Sequence, residues 1–303
     1  MLTEIPDLIF SVEKRQFNEI ECQELTEISP QMNSIYKNNF ETKNYYRFLY
    51  NSEGRKVVGY LIEPKEDEIY PVIIYNRGGS MHHGQINLVH LHSLKMIPNF
   101  VDKGYIVIAT QYSGNDGSEG KDEFGGMDCG DVLNLYKIIK EYKKADSTRV
   151  GMYGASRGGL MTYQALSKVS WLKAAVAVAG VAVAQRTWEM NENFKKIDSQ
   201  MYDVDSQIEL DKRSAIKWAD KFCKTTPILL VHGTADRRVT VLDSLELSIE
   251  LYKYKVPYRL QIYEGADHGI SEFRNEANVE IIKWFDRFVK NNGNLPNLEL
   301  HGK

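Results

Sequence analysis

The sequence predicts an α/β protein, in which a mostly parallel sheet carries helices on both faces and follows an N-terminal antiparallel hairpin. Three observations lead there. From Pro71 onward, short β-branched runs alternate with segments of helical spacing, the pattern of parallel strands joined by crossover helices. Within that alternation, Arg149-Val150-Gly151-Met152-Tyr153 runs into Gly154-Ala155-Ser156-Arg157-Gly158-Gly159 and a helix-spaced continuation to Leu166, which reads as strand, sharp turn, helix. The run Ala174 to Ala184 is alanine and valine almost throughout, as a core strand buried on both faces would be, and is too short to span a bilayer.

Taken in order, residues 1–44 are an extension, read as helical. Val12, Phe17, Ile20, Leu25 and Ile28 predict one helix over about 11–26 that packs on the main domain. The main domain is placed at 45–291. It opens on two strands, Tyr45 to Tyr50 and Lys56 to Leu61, around an Asn/Ser/Gly cluster, a hairpin expected at one edge of the sheet. A strand at 71–75, a helix about 94–103 disturbed by Pro98, and a strand at 105–109 follow. A glycine-rich loop at 113–126 then leads to an amphipathic helix about 130–142, with Val132, Leu135, Tyr136 and Ile139 on one face. After the Ser156 turn and the alanine/valine strand, the rhythm breaks at about 185–224, a polar stretch carrying Trp188, Phe194, Tyr202 and Trp218. This is read as a mobile helical cap insertion over Ser156, with Trp188 and Phe194 as substrate-binding residues. The strand 227–231, a helix about 244–254, the strand 258–263 and a helix about 278–290 complete the domain, and 292–303 is a loose tail.

Composition narrows the function. Over 303 residues the formal charge is −3, with 43% hydrophobic and 26% charged residues, and no clustered basic face exists to bind nucleic acid. The N-terminus has acids and a proline where an export signal has basic and then apolar residues, and the three scattered cysteines suit reduced thiols, so a cytoplasmic protein without membrane attachment is expected. A homo-oligomer is compatible with all of this. His82, His83, His90 and His92 crowd one segment, but no carboxylate stands at ligand spacing, and a rim loop is the expected role; neither a metal nor an organic cofactor is expected.

The chemistry is carried by three strand ends. Ser156 in a Gly-x-Ser-x-Gly turn is the candidate nucleophile, its hydroxyl pushed above the sheet, with Gly154 and Gly158 bare so that strand and helix can approach. Asp236 lies just after the strand ending at Val231, and His268 just after the strand ending at Tyr263. Loops beyond the carboxyl ends of parallel strands share one rim, so the three can meet, and their order Ser, Asp, His is that of α/β-hydrolases. In this reading His268 is the base, Asp236 orients it, and the backbone N–H of Arg157 is one oxyanion donor. Asp267 is a rival acid and His232 a rival base, though the place of His232 at a strand end suggests a structural hydrogen bond.

With Arg149 to Gly159, Arg213-Ser214-Ala215-Ile216-Lys217-Trp218 ahead of Thr226 to Val239, and Gly265-Ala266-Asp267-His268-Gly269, the chain over about 45–290 resembles the catalytic domain of the prolyl oligopeptidase family of serine peptidases. The resemblance implies an α/β-hydrolase fold, the triad Ser156, Asp236 and His268, and cleavage of a small peptide, amide or ester through an acyl-enzyme without a cofactor. The residues before Tyr45 cannot form the β-propeller of larger members. Part of the family has a tyrosine oxyanion donor where Arg77 stands; other members use a backbone N–H. The second donor is therefore assigned to Gly78, with the Arg77 guanidinium turned to a carboxylate or to substrate as a substrate-binding group. No dedicated proline or amino-terminus pocket can be matched, which leaves a carboxylesterase or deacylase open, and, in another class, a binding protein that keeps the fold without chemistry.

Overall fold

A computed structural model describes residues 2–5, 7–28, 30–87, 91 and 96–302. The chain divides into two compact units, one of residues 1–122 and 130–148, the other of residues 123–129 and 149–303.

In the first unit the strands are β1 (Ile9–Lys14), β2 (Lys43–Ser52), β3 (Arg55–Pro64), β4 (Tyr70–Asn76) and β5 (Ile106–Thr110), in the spatial order β1-β2-β3-β5-β4. β1, β2, β3 and β5 pair antiparallel, and β4 joins β5 in parallel. The hairpin turns at Glu53 and Gly54, with φ of 54° and 86°, the two left-handed residues that a two-residue turn needs to match the twist of its strands. It is not the edge expected from the sequence, because β1 pairs along its outer side. β1 also replaces the first part of the single helix expected over 11–26. The apolar spacing there fits either state, and hydrogen bonding to β2, extended by Arg15 N–H to the Tyr45 carbonyl, settles it as strand. Two helices follow instead of one, α1 (Glu19–Ile28) and α2 (Met32–Thr42), joined through the segment holding Pro30 and packed through Cys22, Leu25, Met32 and Tyr36. The helices α3 (Met96–Asp102) and α4 (Cys129–Glu141) match the expected positions; His90, His92 and the start of the helix expected at 94 lie outside the described residues.

The second unit is a parallel sheet of β6 (Ala145–Ala155), whose first residues belong to the other unit, β7 (Ala174–Val178), β8 (Ile228–Gly233) and β9 (Tyr258–Tyr263), in that order. β7 and β8 are buried along their whole length, which accounts for the apolar runs Ala174 to Val178 and Ile228 to Val231. β7 stops at Val178, short of the Ala184 suggested by composition. Ala179 turns at φ 48°, and the N–H groups of Ala182 and Val183 leave the sheet for the Asp243 carboxylate. The helices are α5 (Arg157–Leu166), α6 (Arg186–Met190), α7 (Glu192–Asp198), α8 (Gln207–Lys212), α9 (Leu242–Lys253) and α10 (Arg274–Phe285). The helix expected at 278–290 begins four residues earlier and ends in a π-helical turn, Asp286–Lys290. The segment expected to be a helical insertion does contain α6, α7 and α8.

Candidate active site

Because β6 to β9 are parallel, their carboxyl ends lie on one rim, and the residues that follow β6, β8 and β9 are brought there together. Ser156 follows β6 directly. Its backbone sits at φ 57°, ψ −121°, a region costly to a residue with a side chain, on the order of 1–3 kcal/mol, and tolerated where the surroundings impose it. Here Ser156 N–H bonds the Val178 carbonyl at the end of β7, while its own carbonyl accepts from Gly159 and Val181. A Cβ on Gly154 would lie 2.0 Å from the Gly158 carbonyl oxygen, and one on Gly159 2.4 Å from the Gly180 Cα, so α5 meets β6 and the turn after β7 at van der Waals limits through these glycines. The turn delivers Arg157 as the first residue of α5, where N–H groups have no intrahelical acceptor and the helix dipole is positive.

The loops after β8 and β9 are stitched to each other. Thr234 N–H reaches the Tyr263 carbonyl, Ala235 N–H the Ala266 carbonyl, and Gly265 N–H the Thr234 hydroxyl. Gly233 is bare because a Cβ there would sit 2.2 Å from the Ala266 oxygen. The stitching brings His268 Nδ1 to 2.7 Å from Asp236 Oδ2, although the two are 32 residues apart. The other carboxylate oxygen accepts the N–H groups of Arg238 and Val239 at 2.8 and 3.0 Å. Burial alone would push the Asp236 carboxyl up. Hydrogen bonds from His232 and His268, the His268 charge and the Arg238 N–H outweigh it and hold the group well below the usual carboxylate range. With Nδ1 donating to a carboxylate, His268 keeps Nε2 as its basic nitrogen, and a fifth of its side chain faces solvent.

The rivals are occupied elsewhere. Asp267 turns its carboxylate to the Gly269 and Ser271 N–H groups and the Ser271 hydroxyl, folding its own loop rather than facing the imidazole. His232 is fully buried, with Nε2 at 2.9 Å from the Val239 carbonyl and 3.2 Å from Asp236 Oδ2, and Nδ1 at 2.7 Å from the Ser244 hydroxyl. Both neighbours of Nε2 are acceptors, so Nε2 carries the proton and Nδ1 accepts from Ser244. His232 thus makes the structural hydrogen bond its position suggested, and braces Asp236 from beneath.

Arg77 departs from expectation. It is 1% exposed and turned inward in the first unit, where its guanidinium donates to the carbonyls of Gly78, Met81, His83 and Gln111 and stacks on Tyr112, 4.8 Å from the ring centre. Carbonyls that converge from a tight loop at 78–83 and from Gln111 just after β5 can satisfy a buried guanidinium, and a side chain so used has no donor to offer a substrate. It holds the 78–83 loop together instead of turning to a carboxylate or to substrate, and its place among substrate-binding residues is corrected accordingly.

The segment 185–224 bonds to α5 through the Lys212 carbonyl, which accepts from Gln164, and through Cys223 N–H, which donates to the Leu166 carbonyl. Trp188 donates its indole N–H to Asp198, which also accepts from the Tyr202 hydroxyl. Burial raises the Asp198 carboxyl in spite of these bonds and of the nearby charges of Arg157 and Arg213. Phe194, on α7, is half-buried. Half-buried Phe124 and Trp218 pack against Leu160, Val181 and Val239, which neighbour Ser156 and Asp236 along the chain and through hydrogen bonds. These two aromatics, with Asp128 and Arg213, had no role assigned from sequence; the signal for Asp128 was an acid between a glycine-rich loop and the start of a helix. His82 and His83 have ring centres 4.0 Å apart, and no cluster of three or more His, Cys, Asp or Glu able to hold a metal occurs among the described residues. Among the same residues no helix is long and apolar enough to cross a membrane.

A strained strand-to-helix turn bearing serine, with a carboxylate-bound imidazole on the following strand ends of a parallel sheet, is the architecture of an α/β-hydrolase. The chain belongs to the prolyl oligopeptidase family, whose model matches residues 92–292. It is 28% identical over 258 residues to the uncharacterized peptidase YtmA of Bacillus subtilis, covering 81% of this chain and 93% of that one. It is 24% identical over 265 residues to dipeptidyl-peptidase 5 of Porphyromonas gingivalis, spanning 80% of this chain but only 38% of the relative. The acylaminoacyl peptidase of Pyrococcus horikoshii superposes with a TM-score of 0.74 at 21% identity, over 88% of this chain and 45% of that one, a likeness of fold.

Proposed function

We propose that this protein is a serine peptidase that cleaves a small peptide or related amide or ester through an acyl-enzyme on Ser156. His268 Nε2 takes the Ser156 proton as Oγ attacks the substrate carbonyl carbon. The proton then passes to the leaving amine or alcohol as its bond to carbon breaks, and water, deprotonated by the same nitrogen, releases the acid. Asp236 fixes the imidazole tautomer and stabilises its cation. The Arg157 N–H, at the first residue of α5, receives the oxyanion. Phe124 and Trp218, half-buried against Leu160, Val181 and Val239, offer apolar surface to the substrate, and a cytoplasmic setting keeps Cys22, Cys129 and Cys223 reduced. The observation that carries the reading is the 2.7 Å bond from His268 to a buried Asp236 in the same unit as the strained Ser156. The peptidase names of the relatives favour an amide bond over an ester.

The decisive experiment is labelling with a fluorophosphonate probe. The wild type should be modified at Ser156 and the folded Ser156→Ala variant should not; a folded wild type that resists the probe would sink the proposal. Turnover of aminoacyl-p-nitroanilides beside p-nitrophenyl esters then separates peptidase from esterase, and hydrolysis of esters alone would replace the first with the second.

Trp188 and Phe194 give the cap its own test. If they wall the substrate site, Trp188→Ala and Phe194→Ala should change KM and the order of preferred substrates by several-fold while kcat on the best substrate stays within about threefold. Loss of the indole bond to Asp198 makes Trp188 the more costly in stability. Unchanged kinetics across the panel, with a lowered melting temperature, would reduce both side chains to packing.

A further inference from the structure

The residue after the nucleophile has a second task. The Arg157 side chain is wholly buried, and a guanidinium taken out of water costs several kcal/mol unless it is paired. Its Nη2 meets Asp128 Oδ2 at 2.5 Å, both side chains at zero exposure, and its Cζ lies 5.1 Å from the centre of the Phe124 ring. Asp128 Oδ1 accepts the Gly125 N–H at 2.9 Å, and the Gly125 carbonyl accepts Gln164 Nε2 from the far end of α5. Gly125 has φ +88°, so this backbone path favours glycine. The loop 123–129 is therefore gripped by α5 at its first residue and again two turns on. A third grip comes from Arg213 in the cap. Its guanidinium donates to the Glu123 and Phe124 carbonyls and to Glu209, and lies 3.9 Å from the centre of the Tyr202 ring.

A buried ion pair is weak evidence for stability, since well-packed apolar residues of the same volume often do as well. What the pair supplies here is direction. Arg157 has one rigid, planar group anchored in loop 123–129, and its own N–H is attached to the same Cα. We infer that Asp128 and the Arg157 side chain are positioning residues that hold the Arg157 N–H in line for the oxyanion, with loop 123–129 as the strut between the elbow and the cap. The inference rests on the proposal that this N–H is an oxyanion donor.

Two variants test it: Asp128→Asn, which keeps an oxygen for the Gly125 N–H but removes the anion, and the apolar pair Arg157→Met with Asp128→Leu, which refills the space without charge. Each should lower kcat by about 10- to 100-fold with KM within about twofold, short of the 10²–10³ for losing a donor outright. The shape of the pH–rate profile should not change, because His268 and Asp236 are untouched. The apolar pair should melt close to the wild type, so the loss in kcat cannot be charged to unfolding; if Asp128→Asn does not fold, the apolar pair alone decides. An apolar pair that is stable and turns over at the wild-type kcat overturns the inference, as does a loss appearing only in KM or a displaced pH profile. The wild type's labelling at Ser156 separates the two levels. If labelling succeeds and the variants are fully active, only the positioning role falls; if labelling fails, the catalytic reading falls and takes this one with it.

Discussion

Asp236→Asn should lower kcat by on the order of 10⁴, as the same change does in the best-studied serine-protease triad, while leaving the protein folded. The asparagine oxygen can still accept the Arg238 and Val239 N–H groups, so the loop after β8 keeps its shape. Its amide, however, would donate toward His268 Nδ1, forcing the proton onto Nε2 and leaving no base facing Ser156. His268→Ala should be as damaging. Asp267→Asn should cost little in turnover, because that carboxylate is engaged with Gly269 and Ser271. Turnover of an aminoacyl-p-nitroanilide, read beside circular dichroism, checks all three; near-normal activity in Asp236→Asn with an inactive Asp267→Asn would exchange the two acids. The same carboxylate leaves a mark on stability. Its native pKa is depressed, so between the ordinary carboxylate value and the native one the unfolded chain binds more protons. The stabilisation it gives is present at neutral pH and lost as pH falls through that window, and the melting temperature of Asp236→Asn should fall less steeply with acid than that of the wild type.

Gly154→Ala should be the most disruptive single methyl group in the molecule's active half. The added Cβ would lie 2.0 Å from the Gly158 oxygen, 2.3 Å from its carbonyl carbon and 2.5 Å from Thr162 Oγ1. None of these can swing aside, since two are backbone of α5 and the hydroxyl is bonded to that same oxygen at 2.9 Å. Overpacking typically costs about 1–3 kcal/mol, and against fixed backbone the upper end or beyond is expected. For a chain of this size that is a melting temperature lower by roughly 5–10 °C, and fluorophosphonate labelling should fall with it as the elbow opens. Gly117→Ala is the control: a Cβ there has nothing within 4 Å, and only the left-handed φ of 83° would be strained, about 1–2 kcal/mol. If Gly154→Ala melted and labelled like the wild type, the elbow would not be the tight junction described.

Much of this could be read along the chain. Strands β4 to β9 and helices α4, α5 and α9 follow from periodicity, because a strand buried on both faces and a helix with one apolar face leave distinct local patterns. Ser156, Asp236 and His268 could be picked out because each follows a strand that parallel packing brings to one rim. Where local patterns overlap, the sequence was silent. Residues 9–14 fit a helix or a strand equally, and only the free edge of β2 made them a strand. The alanine/valine run gave no sign that β7 ends at Val178, since the segment beyond it is buried just as deeply while its N–H groups turn to Asp243. The three-dimensional fold alone decided the partners of the buried charges. The carbonyls that hold Arg77 come from positions 78, 81, 83 and 111, and Arg157 finds its carboxylate 29 residues upstream. Residue type and spacing report what a side chain can do with its near neighbours. Which distant oxygen quenches a buried cation depends on where the backbone has already been carried, so that an arginine beside the nucleophile reads as a substrate contact or a brace only once its surroundings are in place.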